Sequence, residues 1–379
     1  MTSVEVALLT QQVLWASFFV SMAFGAVVQR TGFCTMGAVS DVVTMGDWTR
    51  MRQWGLAAGV AVVGFGLLAW AGLVSPDKTL YASNRWTWLS ALAGGGIFGF
   101  GMVLASGCAS KALVRVGGGN LKAVVVVVVL GVAAFATLKG LTAVWRTETV
   151  DRVALDFQAQ ASLPAWAAQA FAAKASAAGL ALSLVIGGAL VAWALAGREF
   201  LRGTNVLAGA GVGAGVVAMW WISGHVGHIA EHPETLQETF LATNSTRAEA
   251  LSFVSPIAYT LDWLMFYSDR NKSLSVGIVS VFGVIAGSLS VSLAQRSFRW
   301  EGFGGTDDLA HHLGGAVLMG VGGVTAMGCS IGQGVSGIST LSLTSFVAVG
   351  AMIAGAAAAL RYQVWRLERE AGATAARTP

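Results

Sequence analysis

Two stretches of this chain carry one pattern. Gly99-Phe100-Gly101 leads through Met102-Val103-Leu104-Ala105 to Ser106-Gly107-Cys108, and Gly320-Val321-Gly322 leads through Gly323-Val324-Thr325-Ala326 to Met327-Gly328-Cys329, at a constant offset of 221. Each closes an apolar, glycine-dense run of about 20 residues, the length a helix needs to cross the hydrocarbon core of a bilayer. Small residues at such spacing let helix backbones approach closely, so these runs belong in the interior of a helix bundle. The same length rule places nine spans in all, near Val6–Val28, Trp54–Val74, Trp86–Ser106, Ala123–Val144, Ala177–Ala196, Thr204–Ser223, Leu274–Ala294, Leu309–Met327 and Leu341–Tyr362. Spans one to four and six to nine form two units, and the single fifth span between them makes the second unit enter the membrane upside down.

The expected fold is therefore an all-α polytopic membrane protein of about nine transmembrane helices, with re-entrant helical segments and two inverted-topology repeats. It is one transmembrane domain, residues 1–365: repeat one about 6–144, a linking helix about 177–196, and repeat two about 204–362, followed by a tail, 366–379. Inverted repeats characterise transporters, whose site lies near the midplane where the repeats meet. Transport or conduction, not catalysis, is the expected function.

Composition points the same way. Of 379 residues, 55% are hydrophobic, a further 49 are glycine, and only 11% are charged, against about 25% charged in a soluble domain. Such a surface excludes a soluble enzyme, a nucleic-acid binder and a disordered scaffold. The net charge of +4 is no footprint for nucleic acid, because the basic residues flank apolar segments rather than cluster. The N-terminus lacks a basic leader and reads as a retained helix.

Sidedness follows from Lys and Arg. One set of connections and ends holds Arg30, Arg50, Arg52, Lys111, Arg115, Lys122, Arg198, Arg202, Arg296, Arg299, Arg361, Arg366, Arg369 and Arg377, out of 23 basic residues. The other side holds two long, acid-rich connections, near Trp145–Ser176 and Gly224–Ser273. The positive-inside rule makes the first side cytoplasmic. This puts the C-terminus in the cytoplasm and, with an odd number of spans, the N-terminus outside, which is the periplasm if the membrane is the bacterial inner membrane that the resemblance below implies.

Three connections are too apolar and Gly-rich for ordinary loops, and they hold all three cysteines: Gly32-Phe33-Cys34-Thr35-Met36-Gly37, Ser106-Gly107-Cys108-Ala109-Ser110-Lys111, and Gly328-Cys329-Ser330-Ile331-Gly332-Gln333-Gly334. A fourth, Ser223-Gly224-His225-Val226-Gly227-His228, takes the corresponding place in the second unit without a Cys. Irregular backbone survives at membrane depth only when buried in protein or lining a cavity. All four are therefore expected to be re-entrant, two dipping from each side, each a Gly break followed by a short helix. A half-helix starting inside the membrane offers unpaired N–H groups and partial positive charge, which suits an anion. A thiol there adds a soft, weak S–H donor, matched to polarisable sulfur. A lone Cys in a membrane helix is ordinarily a small hydrophobe. These three differ because each follows a Gly by one or two residues at a helix break. The candidate substrate-binding residues are Cys34, Cys108 and Cys329, with Gly32, Gly107, Gly328, Ser330 and Gln333.

Other candidates have blander readings. Met36, Met102 and Met327 read as packing. Lys111 and Arg115 serve either as an anion-attracting mouth or as snorkelling interfacial residues. His225, His228 and His232 are read as a water-exposed loop face rather than a metal cluster. Asp307 and Asp308 complement a helix start, and His311 and His312 carry no assignment. No metal site and no cofactor are expected.

The GFCTMG, SGC and MGCSIGQG segments together resemble the YeeE/YedE family of bacterial inner-membrane sulfur-compound transporters, over about residues 10–365. The segment Phe253–Asp269 (FVSPIAYTLDWLMFYSD) is similar to longer members. The resemblance implies uptake of thiosulfate or a related sulfur oxyanion along a relay of S–H hydrogen bonds, with Cys329 on the outer side and Cys108 and Cys34 further in. It also implies membrane lipid around the chain and a small cytoplasmic sulfur-carrier protein as partner. The two long connections depart from short members and leave selenium or other sulfur species open as substrates. Two other classes compete. A soft-metal channel of the Cu(I) type suits Cys and Met but lacks an external thiol or thioether cluster. A membrane thiol oxidoreductase needs a vicinal pair, and the sequence has no C-x-x-C. No intramembrane carboxylate stands out for proton coupling.

Overall fold

The computed structural model describes residues 2–172, 174–233, 235–269 and 272–375; Arg377, counted above among the basic residues, lies outside them. The helices, in order, are α1 (Ser3–Thr31), α2 (Thr35–Met45), α3 (Thr49–Trp70), α4 (Trp88–Leu104), α5 (Ala109–Gly117), α6 (Leu121–Lys139), α7 (Leu141–Glu148), α8 (Leu163–Ala170), α9 (Ala175–Leu195), α10 (Gly203–Trp221), α11 (Val254–Met265), α12 (Val276–Ala294), α13 (Thr306–Thr325) and α14 (Leu343–Ala375). The strands among the described residues are two pairs of two residues each, in the loops. In lipid only a helix or a closed barrel satisfies every backbone group, which is why even the β-branched run Val124–Val129 is helical here. Local signals set the ends. A capping box of Thr2 and Glu5 opens α1, Gly32 closes it at φ 69°, and Asn120 caps α6 by accepting from Ala123 N–H.

Among the described residues eight helices are long and apolar enough to cross a membrane, so the chain is an all-α polytopic membrane protein. The expected span missing from these eight is the eighth, α13. It is long enough, but Asp307, Asp308, His311 and His312 in its first two turns lower its hydropathy. It nevertheless packs inside the bundle, between α4 and α6.

The α4–α13 contact explains the duplicated glycines. The helices run antiparallel. A methyl placed on Gly94 would lie 2.4 Å from the Ala326 nitrogen, and one on Gly315 would lie 2.6 Å from the Ala105 nitrogen. A methyl on Gly101 would lie 2.8 Å from the Gly315 oxygen, and one on Gly322 2.7 Å from the Gly94 oxygen. Shifted by 221 residues, each contact becomes its partner, which is the self-complementary pattern of a two-fold axis. The remaining packing obeys the same operation: α1 lies on α12 as α10 lies on α3, and α4 lies on α14 as α13 lies on α6. α9 stands outside this arrangement against α3, where Gly59 and Gly187 bring the two backbones together.

Three expectations need correction. The fourth span stops at Lys139 rather than Val144, because Gly140 takes extended backbone and α7 follows with Leu141, Val144 and Trp145 exposed. The ninth runs past Tyr362 to Ala375, since nothing after Tyr362 breaks the helix. The fourth re-entrant stretch is misplaced. Residues 222–226 continue α10 as a π turn, without a break. The element that packs on α12, α13 and α6 as α2 packs on α3, α4 and α14 is instead α11, reached after a long loop. Its N-cap is Phe253, where α2 has Cys34.

Candidate functional site

The two Gly-Cys turns are built alike down to the hydrogen bonds. Gly107 N–H donates to Met102 O and Ser106 N–H to Val103 O, both at turn-typical lengths of 2.8 and 3.1 Å. Gly328 N–H donates to Gly323 O and Met327 N–H to Val324 O, at 2.8 and 3.0 Å. This is a Schellman termination, whose pivotal residue is left-handed and usually Gly. Here the pivots are Ser106 (φ 55°) and Met327 (φ 58°), a conformation that costs an L-residue about 1–2 kcal/mol. Each turn ends one helix and sets a cysteine at the N-cap of the next.

All three thiols are free and sit at helix N-caps. Cys34 begins α2 and accepts from Gly37 N–H at 3.4 Å. Cys329 begins a helix over residues 330–339 that contains the π turn Gly332–Gly337. Its sulfur accepts from Gly332 N–H at 3.4 Å, and the Phe253 and Ile331 backbone amides are within reach of it. Cys108 begins α5, and its Sγ lies 3.3 Å from Ser110 Oγ. Ser, Thr, Asp or Asn would cap these helices better, so a thiol at three caps is a local concession. A sulfur that accepts a backbone N–H keeps its own S–H to donate. Cys34 and Ser330, which follows Cys329 in the chain, lie close to the Cys108 thiol. Cys108 and Cys329 are buried; Cys34 is partly exposed.

The remaining sequence-predicted site residues support this cluster in different ways. Gly32 makes the left-handed turn before Cys34. Gly107 lies against Lys111 and Arg115, and a methyl there would meet their side chains at ordinary contact distance, from 3.4 Å. Gln333 Nε2 donates to Ala326 O at 2.6 Å and its Oε1 accepts from Ser345 Oγ at 2.6 Å, so it ties the Cys329 turn to α14. Tyr81 Oη, which the sequence reading missed, donates to Gly332 O at 2.6 Å from the opposite loop.

Two vestibules approach the cluster from opposite ends. One, of about 410 Å³, is lined by Ser106, Gly107, Arg115, Lys122, Arg299, Glu301, Asp308 and His312 at the Lys/Arg-rich end. Within it Lys122 pairs with Asp308 at 2.6 Å and His312 with Asp308 at 3.0 Å, which gives His312 a place at last. The other, of about 230 Å³, is lined by Met327, Arg146, Ser245, Glu249, Ser252 and Tyr259. Burial pushes the Glu249 carboxyl above its ordinary range, partly offset by donation from Ser245. Ser106 and Met327, the two pivots, thus each face a vestibule.

His225 and His228 do other work. His228 Nε2 lies 2.5 Å from Glu238, which also pairs with Lys78, and His225 is exposed beside Trp221. Among the described residues no three His, Cys, Asp or Glu side chains group to hold a metal ion.

Comparison with known proteins follows this geometry. The family described as sulphur transport matches residues 30–358. A thiosulfate transporter TsuA of Spirochaeta thermophila is 25% identical over 361 residues, covering 88% of this chain and 94% of that protein. A thiosulfate transporter TsuA of Escherichia coli is 28% identical over 338 residues, covering 87% and 89%.

Proposed function

This chain belongs to the sulphur-transport family, and from that premise we propose that it takes up thiosulfate or a closely related sulfur oxyanion across a bacterial inner membrane. The observation that carries this reading is the convergence of three free thiols, each at a helix start, between two vestibules. An anion entering from the Met327 side meets Cys329 first. There the Gly332 amide and neighbouring N–H groups hold the thiol with its S–H free. Ser330 and Cys108 come next, and then Cys34, in a chain of weak neutral donors. None traps the ion as a fixed charge would, and none needs a covalent bond. Lys111 and Arg115 beyond Cys108 draw negative charge toward the basic end.

In this reading the two units related by 221 residues, about 6–144 and 204–362, are the inverted repeats, and residues 177–196 link them. The basic end faces the cytoplasm, with the C-terminal tail, and a sulfur-carrier protein collects the ion there. The test is uptake of radiolabelled thiosulfate by a host lacking its own sulfur-anion uptake systems. Expression of this chain restores uptake and growth on thiosulfate. Well-expressed protein that restores neither refutes the reading.

A further inference from the structure

The outer vestibule holds an acid where an anion has to pass. Of the residues that line it, Arg146, Glu249 and Tyr259 are the titratable ones, and Met327 belongs to the turn that leads to Cys329. Ser252, another lining residue, joins it to the first thiol. A methyl on Gly332 would lie 2.5 Å from Ser252 Oγ, and the Gly332 N–H donates to Cys329 Sγ. Glu249 therefore stands at the entrance of the path, in the loop before α11 and outside the membrane-spanning helices.

Neutral groups alone hold this side chain. The Ser245 N–H and hydroxyl both donate to its Oε1, at 2.9 and 2.5 Å, and its own N–H donates to Ser223 Oγ at 2.7 Å. Among the described residues no Lys, Arg or His forms an ion pair with it. The charged groups of the surrounding elements are engaged elsewhere. Arg146 of α7 pairs with Asp151 at 3.3 Å, Arg247 donates to Ala82 O at 2.5 Å, and Asp262 of α11 pairs with Lys272. Tyr81 and Tyr259, the other titratable groups near Glu249, are phenols. Desolvation of an acid without a cation favours its neutral form, which is why the Glu249 carboxyl is raised above its ordinary range.

Protonation changes what the vestibule offers. With Glu249 ionised, it and the Arg146–Asp151 pair leave one net negative charge, which opposes a dianion. With Glu249 neutral the three sum to zero, and the carboxyl gains an O–H to donate. Leu80, Leu138, Val276 and Val324 among the walls lower the local dielectric, so one charge counts for more there than in bulk water. We infer that Glu249 is an entry gate for the transported oxyanion: its neutral form admits the ion and donates its O–H to an oxygen, and its ionised form opposes entry. The proton comes from the outer solution and stays on Glu249 while the ion moves on to Cys329. This inference rests on the transport reading above.

The test measures initial uptake of radiolabelled thiosulfate by intact cells of the uptake-deficient host. The cells express the full chain as wild type, E249Q or S245A, and the outer pH runs from about 5 to about 8. Thiosulfate stays a dianion throughout, so the protein supplies the titration. Half-saturating thiosulfate for wild type rises about tenfold toward the alkaline end, as one opposing charge on a dianion implies across a partly solvated vestibule. The maximal rate changes little. E249Q keeps the Oε1 acceptor for Ser245 and has an N–H in place of the O–H, and it loses that rise. S245A removes a donor to the ionised form, which raises the carboxyl further, so its rise begins at higher pH than that of wild type. A carboxyl that serves the fold alone would alter stability without moving this midpoint. Where E249Q assembles poorly, S245A decides alone. Half-saturation of wild type that ignores pH, a rise that survives in E249Q, or an unmoved midpoint in S245A overturns the gate while leaving thiosulfate uptake standing. A wild type that transports no thiosulfate at any pH overturns the transport reading and the gate together.

Discussion

Adding one methyl to Gly94, or to Gly315, tests the two-fold relation on which the fold is built. The two positions are equivalents, and each would push its methyl into backbone of the other unit: the Ala326 nitrogen at 2.4 Å and the Ala105 nitrogen at 2.6 Å. Both fall about 1 Å short of ordinary van der Waals contact. The obstacle is main chain at the C-terminal end of a helix, not the end of a flexible side chain, so α4 and α13 must separate or slide. Overpacking of this kind costs about 1–3 kcal/mol, and symmetry requires Gly94→Ala and Gly315→Ala to cost similar amounts. Gly96 and Gly314 are the internal controls. A methyl on either meets nothing within 4 Å, so Ala there should be neutral or stabilising by about 0.5–1 kcal/mol through helix propensity. The assay is thermal unfolding of the purified protein in detergent, with size-exclusion to confirm assembly. Equal stability of Gly94→Ala and wild type, or a large loss at Gly315 without one at Gly94, refutes the shared geometry.

Three further outcomes follow. Cys108→Ala and Cys329→Ala each reduce uptake by at least tenfold while the protein assembles and melts as before, because Ala keeps most of the volume and removes the S–H; full activity of the double variant refutes the relay. In variants retaining one Cys, a charged, impermeant thiol reagent added outside intact cells labels Cys329 faster than Cys34 or Cys108, and thiosulfate slows that labelling; the opposite order reverses the proposed orientation. For Glu249, burial raises the carboxyl above its ordinary value, so the folded state binds this proton more tightly than the unfolded state. Its contribution is present below the ordinary carboxylate range and is lost as pH rises through the raised value. Glu249→Gln keeps the acceptor for Ser245, so its melting temperature falls less than that of wild type as pH rises from about 5 to about 8; parallel profiles refute the assignment.

What the sequence revealed and what it hid divide along physical lines. The offset of 221 was visible because close backbone approach demands Gly, and the demand is the same in both units. The thiol positions were visible because a Gly-Cys break in an apolar run has few other uses. The fourth short helix was not. The loop of residues 227–253 destroys the offset, and Gly224 and Gly227 look like a break where α10 in fact continues into a π turn. Phe253 at its N-cap has no polar atom in its side chain to announce the position.

The bond made by Gln333 has a consequence for motion. Its equivalent in the other unit is Ala112, which has no amide to offer, and Tyr81 and Trp220 add further ties, to Gly332 O and to Ser339 Oγ. The helix after Cys329 is thus latched from several sides. Over α5 the one such latch reaching in from another helix, among the described residues, is Ser288 on Val114 O. Local unfolding draws on the segment with fewest anchors, so backbone amides of residues 109–117 exchange with solvent faster than those of 330–339. Two ends that share a shape differ in how readily they open, and a symmetric frame acquires a direction.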